Sequence, residues 1–270
     1  MSDYSAFQHL LFERPHPGIL LITINRPEKM NSANKRLHWE LANVWKTVAD
    51  DDETRVVVIT GAGDRAFCVG GDTDWAASWP GNFAESALVV KEASDIVYNI
   101  TNLDKPVVSA INGIAMGAGL AVALMSDISI IAEETRISDR HLAVGVVAGD
   151  HAVINWPLLC GMAKAKLYLL TADFLSGKEA ERIGLVSLCA PQAQVLPKAM
   201  EVAQKLAQGP QMAQRWTKRA LNNWYRMAGP AFDFSIVAEM LTFQGEDAKA
   251  ALDALQNKRP IVFPSGRPPT

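Results

Sequence analysis

Cysteine is scarce: Cys68, Cys160 and Cys189 are the only three in 270 residues. Their odd number and wide spacing exclude a disulfide framework, and no CxxC pair offers a metal clip, so a reducing cytoplasmic setting is expected. Charge of either sign is also weak. The formal net charge is −3 and no long basic run is present, which argues against nucleic acid or an anionic membrane as partner. The one local basic segment is NKRPIVFPSGR, residues 257–267. The first eighteen residues lack a basic stretch leading into an apolar one, so no secretory signal is expected. Only VVSAINGIAMGAGLAVALMSDISIIA, residues 107–132, is apolar enough to suggest a membrane span. It is interrupted by Asn112, three glycines and Asp127, and reads better as strand, turn, helix and strand. Phosphate-binding glycine fingerprints are missing as well: there is no GxGxxG and no GxxxxGK[ST].

What is abundant is apolar surface. Residues of the hydrophobic class make up 49% of the chain, enough for one large domain, alone or with an appendage. GILLITINRP (18–27), RVVVITGAG (55–63), KPVVSAIN (105–112) and ISIIAE (128–133) read as strands. Between them, residues 33–51 place Leu37, Leu41, Val44, Trp45 and Val48 on one helical face, and residues 84–104 form a second helix. Alternating strands and helices indicate an α/β fold with buried strands. Beyond about residue 190 only helical segments remain, with breaks expected at Gly209-Pro210 and Gly229-Pro230. The organisation is therefore an α/β core over residues 1–190 and a helical section over 191–270.

Two glycine-rich turns, AFCVGGD (66–72) and NGIAMGAG (112–119), each follow a strand, and the second opens a helix near Gly117. Such turns either let strand and helix pack closely or present unpaired N–H groups that converge as an oxyanion hole. NRPEKMNSAN, VVVITGAGDRAFCVGGD, the 105–134 segment, LTADFLSGKEAERIGLVS and NKRPIVF follow one another in an order and spacing that resembles the crotonase superfamily of enoyl-CoA hydratases and isomerases. The resemblance covers nearly the whole chain. It implies a spiral of ββα units, a helical C-terminal region that forms a trimer or a hexamer of two trimers, no cofactor beyond CoA carried by a substrate, and no metal. It also implies that the backbone N–H groups of Gly71 and Ala118 form the oxyanion hole for an acyl-CoA enolate.

The chain departs from the hydratase pattern at both catalytic glutamates, whose positions fall on Ala121 and His141. Hydration by the ordinary glutamate pair is thereby excluded. The lysine that often follows Asp72 is also missing, since the chain reads Thr73-Asp74-Trp75; Lys29, Lys258 and Arg259 are the remaining candidates for CoA phosphates, or are solvated surface charge. RHLAVGVVAGDHAVINWPLL resembles instead the β-diketone hydrolase branch typified by 6-oxocamphor hydrolase, which pairs a histidine with an aspartate nine residues later. That resemblance places catalytic roles on His141, Asp150 and Glu239, and a substrate contact on His38; Asp72 and Trp75, which follow the first glycine turn, are further candidates for lining the substrate pocket. A histidine held by a carboxylate can activate water. The implied reaction is hydrolysis of a C–C bond in a β-diketone or β-ketoacyl group; the alternative is hydratase, isomerase or thioesterase chemistry on an acyl-CoA. Each residue also has a structural reading: Asp150 as a helix N-cap, His141 as a satisfied core histidine, His38 as a polar face residue, Glu239 as an interface group, and Trp75 and Trp79 as core.

Overall fold

The computed structural model describes residues 2–266. Arg267, at the end of the basic segment, lies outside the described residues. Six strands form the larger sheet: β1 (Leu10–His16), β2 (Ile19–Ile24), β3 (Val56–Gly61), β5 (Val107–Ile111), β7 (Ile128–Ala132) and β10 (Leu188–Ala190), in the order β1-β2-β3-β5-β7-β10. Only β1 is antiparallel to its neighbour; the rest run parallel, with Leu21 opposite Val58, Val58 opposite Val108, and Val108 opposite Ile128. A smaller sheet contains β4 (Ala66–Cys68), β6 (Ile114–Ala115), β8 (Arg136–Ile137) and β9 (Leu175–Ser176).

The continuous apolar strands follow from cover on both faces. One face packs on α1 (Lys35–Ala49), α3 (Phe83–Asn102) and α4 (Gly117–Met125), and Leu37, Leu41, Val44, Trp45 and Val48 of α1 are all buried there. Asn34 starts α1 by accepting from the Leu37 N–H at 2.8 Å. The other face is covered by α7 (Val195–Gln208), whose Val195, Ala199 and Ala203 meet Val56, Val58 and Val108. Four short helices or helical turns complete the middle and end: α2 (Thr73–Ala76), α6 (Gly177–Arg182), α8 (Gln211–Leu221) and α10 (Glu246–Gln256). Two long stretches, α5 (Ala152–Thr171), broken by a kink at Gly161 where φ is +78°, and α9 (Asn223–Thr242), run near the site. No helix among the described residues is long and apolar enough to cross a membrane; the 107–132 segment is β5, β6, α4 and β7.

The C-terminal helices differ from expectation in one respect. Gly209-Pro210 does separate α7 from α8, but Gly229-Pro230 lies inside α9. Phe232 and Ile236 bury against the main core just beyond it. That packing holds helical geometry across a proline that removes one backbone hydrogen bond.

Candidate active site

A cavity of about 530 Å³ opens between the two glycine turns, α3 and the C-terminal helices. The turns touch. Gly117 has φ +47°, and a β-carbon there would lie 3.2 Å from the Gly70 Cα, 3.8 Å from Asp150 Oδ2 and 4.0 Å from the Gly71 nitrogen. Only glycine accepts both that backbone and that approach. Gly71 sits in a parallel bridge with Ala33, whose hydrogen bonds are carried by its neighbours: Ala33 N–H to Gly70 O at 2.7 Å and Asp72 N–H to Ala33 O at 2.9 Å. Among the described residues, nothing accepts from the Gly71 N–H. The Ala118 N–H in the first turn of α4 is equally unpaired, whereas those of Gly119 and Leu120 bond Met116 O. Two unpaired donors on touching turns can stabilise an oxygen that gains charge.

Beside them, three acid–base groups converge. His141 Nε2 stands 3.7 Å from Asp150 Oδ2 and 3.5 Å from Glu239 Oε1. The loop that carries His141 and Asp150 is tied to one face of α9: Ser235 Oγ donates to Gly149 O at 3.0 Å, and the Val147 N–H donates to Thr242 Oγ1 at 3.1 Å. Glu239 lies between those two anchors, on the same helical face. Gly149 permits the approach, since a β-carbon there would fall 2.6 Å from Glu239 Cβ.

The structure corrects the expected partner of His141. Its Nδ1 donates to Asp139 Oδ1 at 2.8 Å, and Asp139, fully buried, also accepts from the His141 backbone N–H at 3.2 Å. Asp150 instead accepts from His151 Nδ1 at 2.5 Å. Two residues of separation let one carboxylate reach both the ring and the backbone of His141; Asp150 arrives from a later turn on the Nε2 side. Asp150 is not a helix cap either. The N-cap of α5 is His151, and no side chain caps that end.

Electrostatics separates the three groups. Burial disfavours charge on His141, but Asp139, Asp150 and Glu239 together outweigh it and hold its pKa well above 6.5. Burial would raise Asp150, yet His141 and His151 bring it down to about 2. Burial raises Glu239 above 4.5, and the attraction of His141 offsets this only in part. Near neutrality the site thus holds an imidazolium and an ionised Asp150, and of the two carboxyl groups Glu239 is the one shifted toward keeping its proton. Donor atoms of His141, Asp150 and Glu239 lie within 4.8 Å of one another, as do those of Asp139, Asp150 and His151, which is also cation-binding spacing. The direct His151–Asp150 bond accounts for the second group by proton sharing, and in the first the charge of His141 draws the two carboxyl groups toward Nε2.

The remaining candidates divide. His38 lines the cavity, and its Nδ1 bonds buried Glu92 Oε2 at 2.7 Å. Trp75 and Trp79 form a cavity wall with Phe243, in edge-to-face contacts of 4.9 and 4.8 Å between ring centroids. Asp72 lines the cavity but also caps α2 and faces Arg26 at 3.5 Å. Lys29 lines the rim. Lys258 and Arg259 do not line the cavity, and Arg259 is paired with Asp253. Ala121 is buried in the core and brings no acid–base group. Asp139, Glu92 and His151 had no role in the sequence argument. Asp139, two residues before the histidine, was the one with a local signal.

The sequence profile described as "Enoyl-CoA hydratase/isomerase" matches residues 14–266. The chain is 29% identical over 263 residues to a crotonyl-CoA hydratase of Syntrophomonas wolfei, covering 96% of this chain and 98% of that protein. It is 33% identical over 202 residues to an (E)-benzylidenesuccinyl-CoA hydratase of Thauera aromatica, covering 75% and 78%. A crystal structure of an enoyl-CoA hydratase/isomerase from Mycobacterium paratuberculosis superposes with a TM-score of 0.86 at 35% identity, covering 91% of this chain and 97% of that one.

Proposed function

The chain belongs to the enoyl-CoA hydratase/isomerase family, the crotonase superfamily, and on that premise we propose that it adds water across the α,β-double bond of an acyl-CoA thioester. The observation that carries this reading is the meeting of Asp150 and Glu239 at His141 Nε2, beside the two glycine turns. This pair supplies, from other positions, the two carboxyl groups that Ala121 and His141 withhold. Two carboxyl groups with opposed pKa shifts are an acid–base assignment.

In the hydration direction, ionised Asp150 accepts a proton from water as its oxygen bonds the β-carbon. The displaced π electrons pass to the thioester oxygen, held by the Gly71 and Ala118 N–H groups. Protonated Glu239 then delivers its proton to the α-carbon. His141 resets the site: it passes its Nε2 proton to Glu239 and takes the new one from Asp150, a carboxyl acidic enough to release it readily. The hydratase names of the relatives support the acyl-CoA substrate. The C–C bond hydrolysis suggested by the His/Asp spacing is the second reading. It is favoured by the Asp139 bond that aims Nε2 at the cavity, and opposed by the carboxylates that keep Nε2 protonated.

Purified protein is expected to hydrate enoyl-CoA thioesters, with the gain of one water read by mass. Bulky or cyclic acyl groups that fill the tryptophan-lined cavity should turn over faster than straight-chain crotonyl-CoA. Cleavage of β-ketoacyl or β-diketone substrates without any hydration would replace this reading by the second.

The assembly follows from a separate surface. Trp216, Leu221, Trp224, Phe234 and Leu241 of α8 and α9 stand exposed, near a groove of about 770 Å³ lined by Leu124, Leu158 and Tyr225. An apolar face of this extent calls for cover, and the crotonase resemblance makes a second and third copy of the chain the cover. Light scattering at micromolar concentration should give a trimer or a multiple of it; a monomer mass would reject this.

A further inference from the structure

We propose that Glu92 is a positioning residue for His38, and that the pair selects acyl groups carrying a hydroxyl. The proposal rests on the acyl-thioester reading above. It begins with a buried carboxylate that the hydration chemistry does not use. Glu92 lies on α3 behind the cavity wall, and Val89 and Ala93 of the same helix line the cavity. Its Oε2 meets His38 Nδ1 at 2.7 Å, and both side chains are nearly sealed, 4% and 6% exposed. A carboxylate only accepts, so Nδ1 carries the hydrogen. In the neutral imidazole this leaves a lone pair on Nε2. That atom bonds no protein group among the described residues and is not among the sealed, unpartnered polar atoms, so it opens onto the cavity.

The surroundings make this nitrogen a selective feature. The His38 ring lies 5.2 Å from that of Trp75, which is itself fixed by an Nε1–H bond to Glu85 Oε1 at 2.8 Å. Trp79, Val89 and Ala93 supply apolar lining around it. A fixed acceptor beside aromatic rings favours an acyl group that bears a donor at that point, and a hydroxyl is the donor that also fits among rings. Sites built around such a polar contact discriminate strongly against ligands that lack it. Glu92 acts through His38: it sets which ring nitrogen faces the substrate and prevents the ring from turning.

Saturated thioesters separate this from turnover, because they bind without taking up water across a double bond. Cyclohexanecarbonyl-CoA and its ring-hydroxylated isomers should be titrated calorimetrically into the intact protein. One hydroxylated isomer is expected to bind about tenfold more tightly than the parent, the effect of one net hydrogen bond. Glu92→Leu should abolish that preference while the parent binds as before, and Glu92→Gln, whose amide oxygen still accepts from Nδ1, should largely retain it. Should Glu92→Leu fail to fold, the double variant His38→Leu/Glu92→Leu replaces a buried polar pair by an apolar one, a change proteins often tolerate. It should show no preference among the hydroxylated isomers relative to its own affinity for the parent. Equal binding of parent and all isomers to the unaltered protein, or a preference that survives the double variant, would overturn the proposal. Failure of every thioester to bind would instead remove the acyl-CoA reading beneath it.

Discussion

Glu239→Gln is expected to lower kcat for hydration by about 10²–10⁴, the usual cost of losing a general acid or base, with little change in KM. Glutamine keeps the shape of the side chain and can still face His141, so the fold and the cavity persist. It cannot deliver a proton to carbon. The pH profile gives the second signature. Burial raises the Glu239 pKa, so the group is in its working, protonated form at low pH and loses it as pH rises through that raised value. Hydration should therefore show a descending limb above the ordinary glutamate range, and Glu239→Gln should lose that limb. If neutral His141 were instead the base for C–C hydrolysis, the rate would climb as pH rises through a histidine pKa held well above 6.5. The two readings thus predict slopes of opposite sign. A Glu239→Gln enzyme with full hydration activity would remove the acid assignment.

Part of this site is legible in the sequence. The glycine turns by themselves left close packing and free N–H groups both open, and it was the crotonase resemblance that implied donors at Gly71 and Ala118, whose N–H groups stand unpaired among the described residues. Four of the six strands of the large sheet, β2, β3, β5 and β7, announced themselves as continuous apolar runs, since they are covered on both faces; largely exposed β1 and three-residue β10 did not. The short strands β4, β6, β8 and β9 did not, being only two or three residues long and too brief to show a period. Glu92 was hidden for a related reason. A carboxylate on a helix of alternating apolar and polar residues reads as solvated, and only the packing of α1 on α3 turns it inward against His38. The His141–Asp150 pairing was half right. Spacing along the chain brought both residues to one place, but it carried no information about which ring nitrogen each carboxylate would meet, and Asp139 took Nδ1. Pro230 failed as a break because tertiary burial outweighed local propensity.

Asp150→Asn should lower kcat by a similar factor, about 10²–10⁴, while the protein stays folded. The substitution keeps an oxygen that can accept from His151 Nδ1 and removes the charge. As the N-cap of α5, position 150 would tolerate asparagine without effect; here the helix begins one residue later, and the carboxylate faces His141 Nε2 at 3.7 Å. Stability supplies an independent readout with a definite sign. The folded pKa of Asp150 is depressed to about 2 from an ordinary value of 3.8. Its ionised form therefore contributes stability above the unfolded value, on the order of 2 kcal/mol by linkage. That contribution fades as pH falls from about 4 toward 2. The gap in unfolding free energy between the native chain and Asp150→Asn should accordingly narrow over that interval. Combining Asp150→Asn with His141→Ala should cost little more activity than the worse single change, because the proton that Asp150 accepts must leave through His141. Additive losses in the double variant, or full activity in Asp150→Asn, would separate the two residues and end the relay between them.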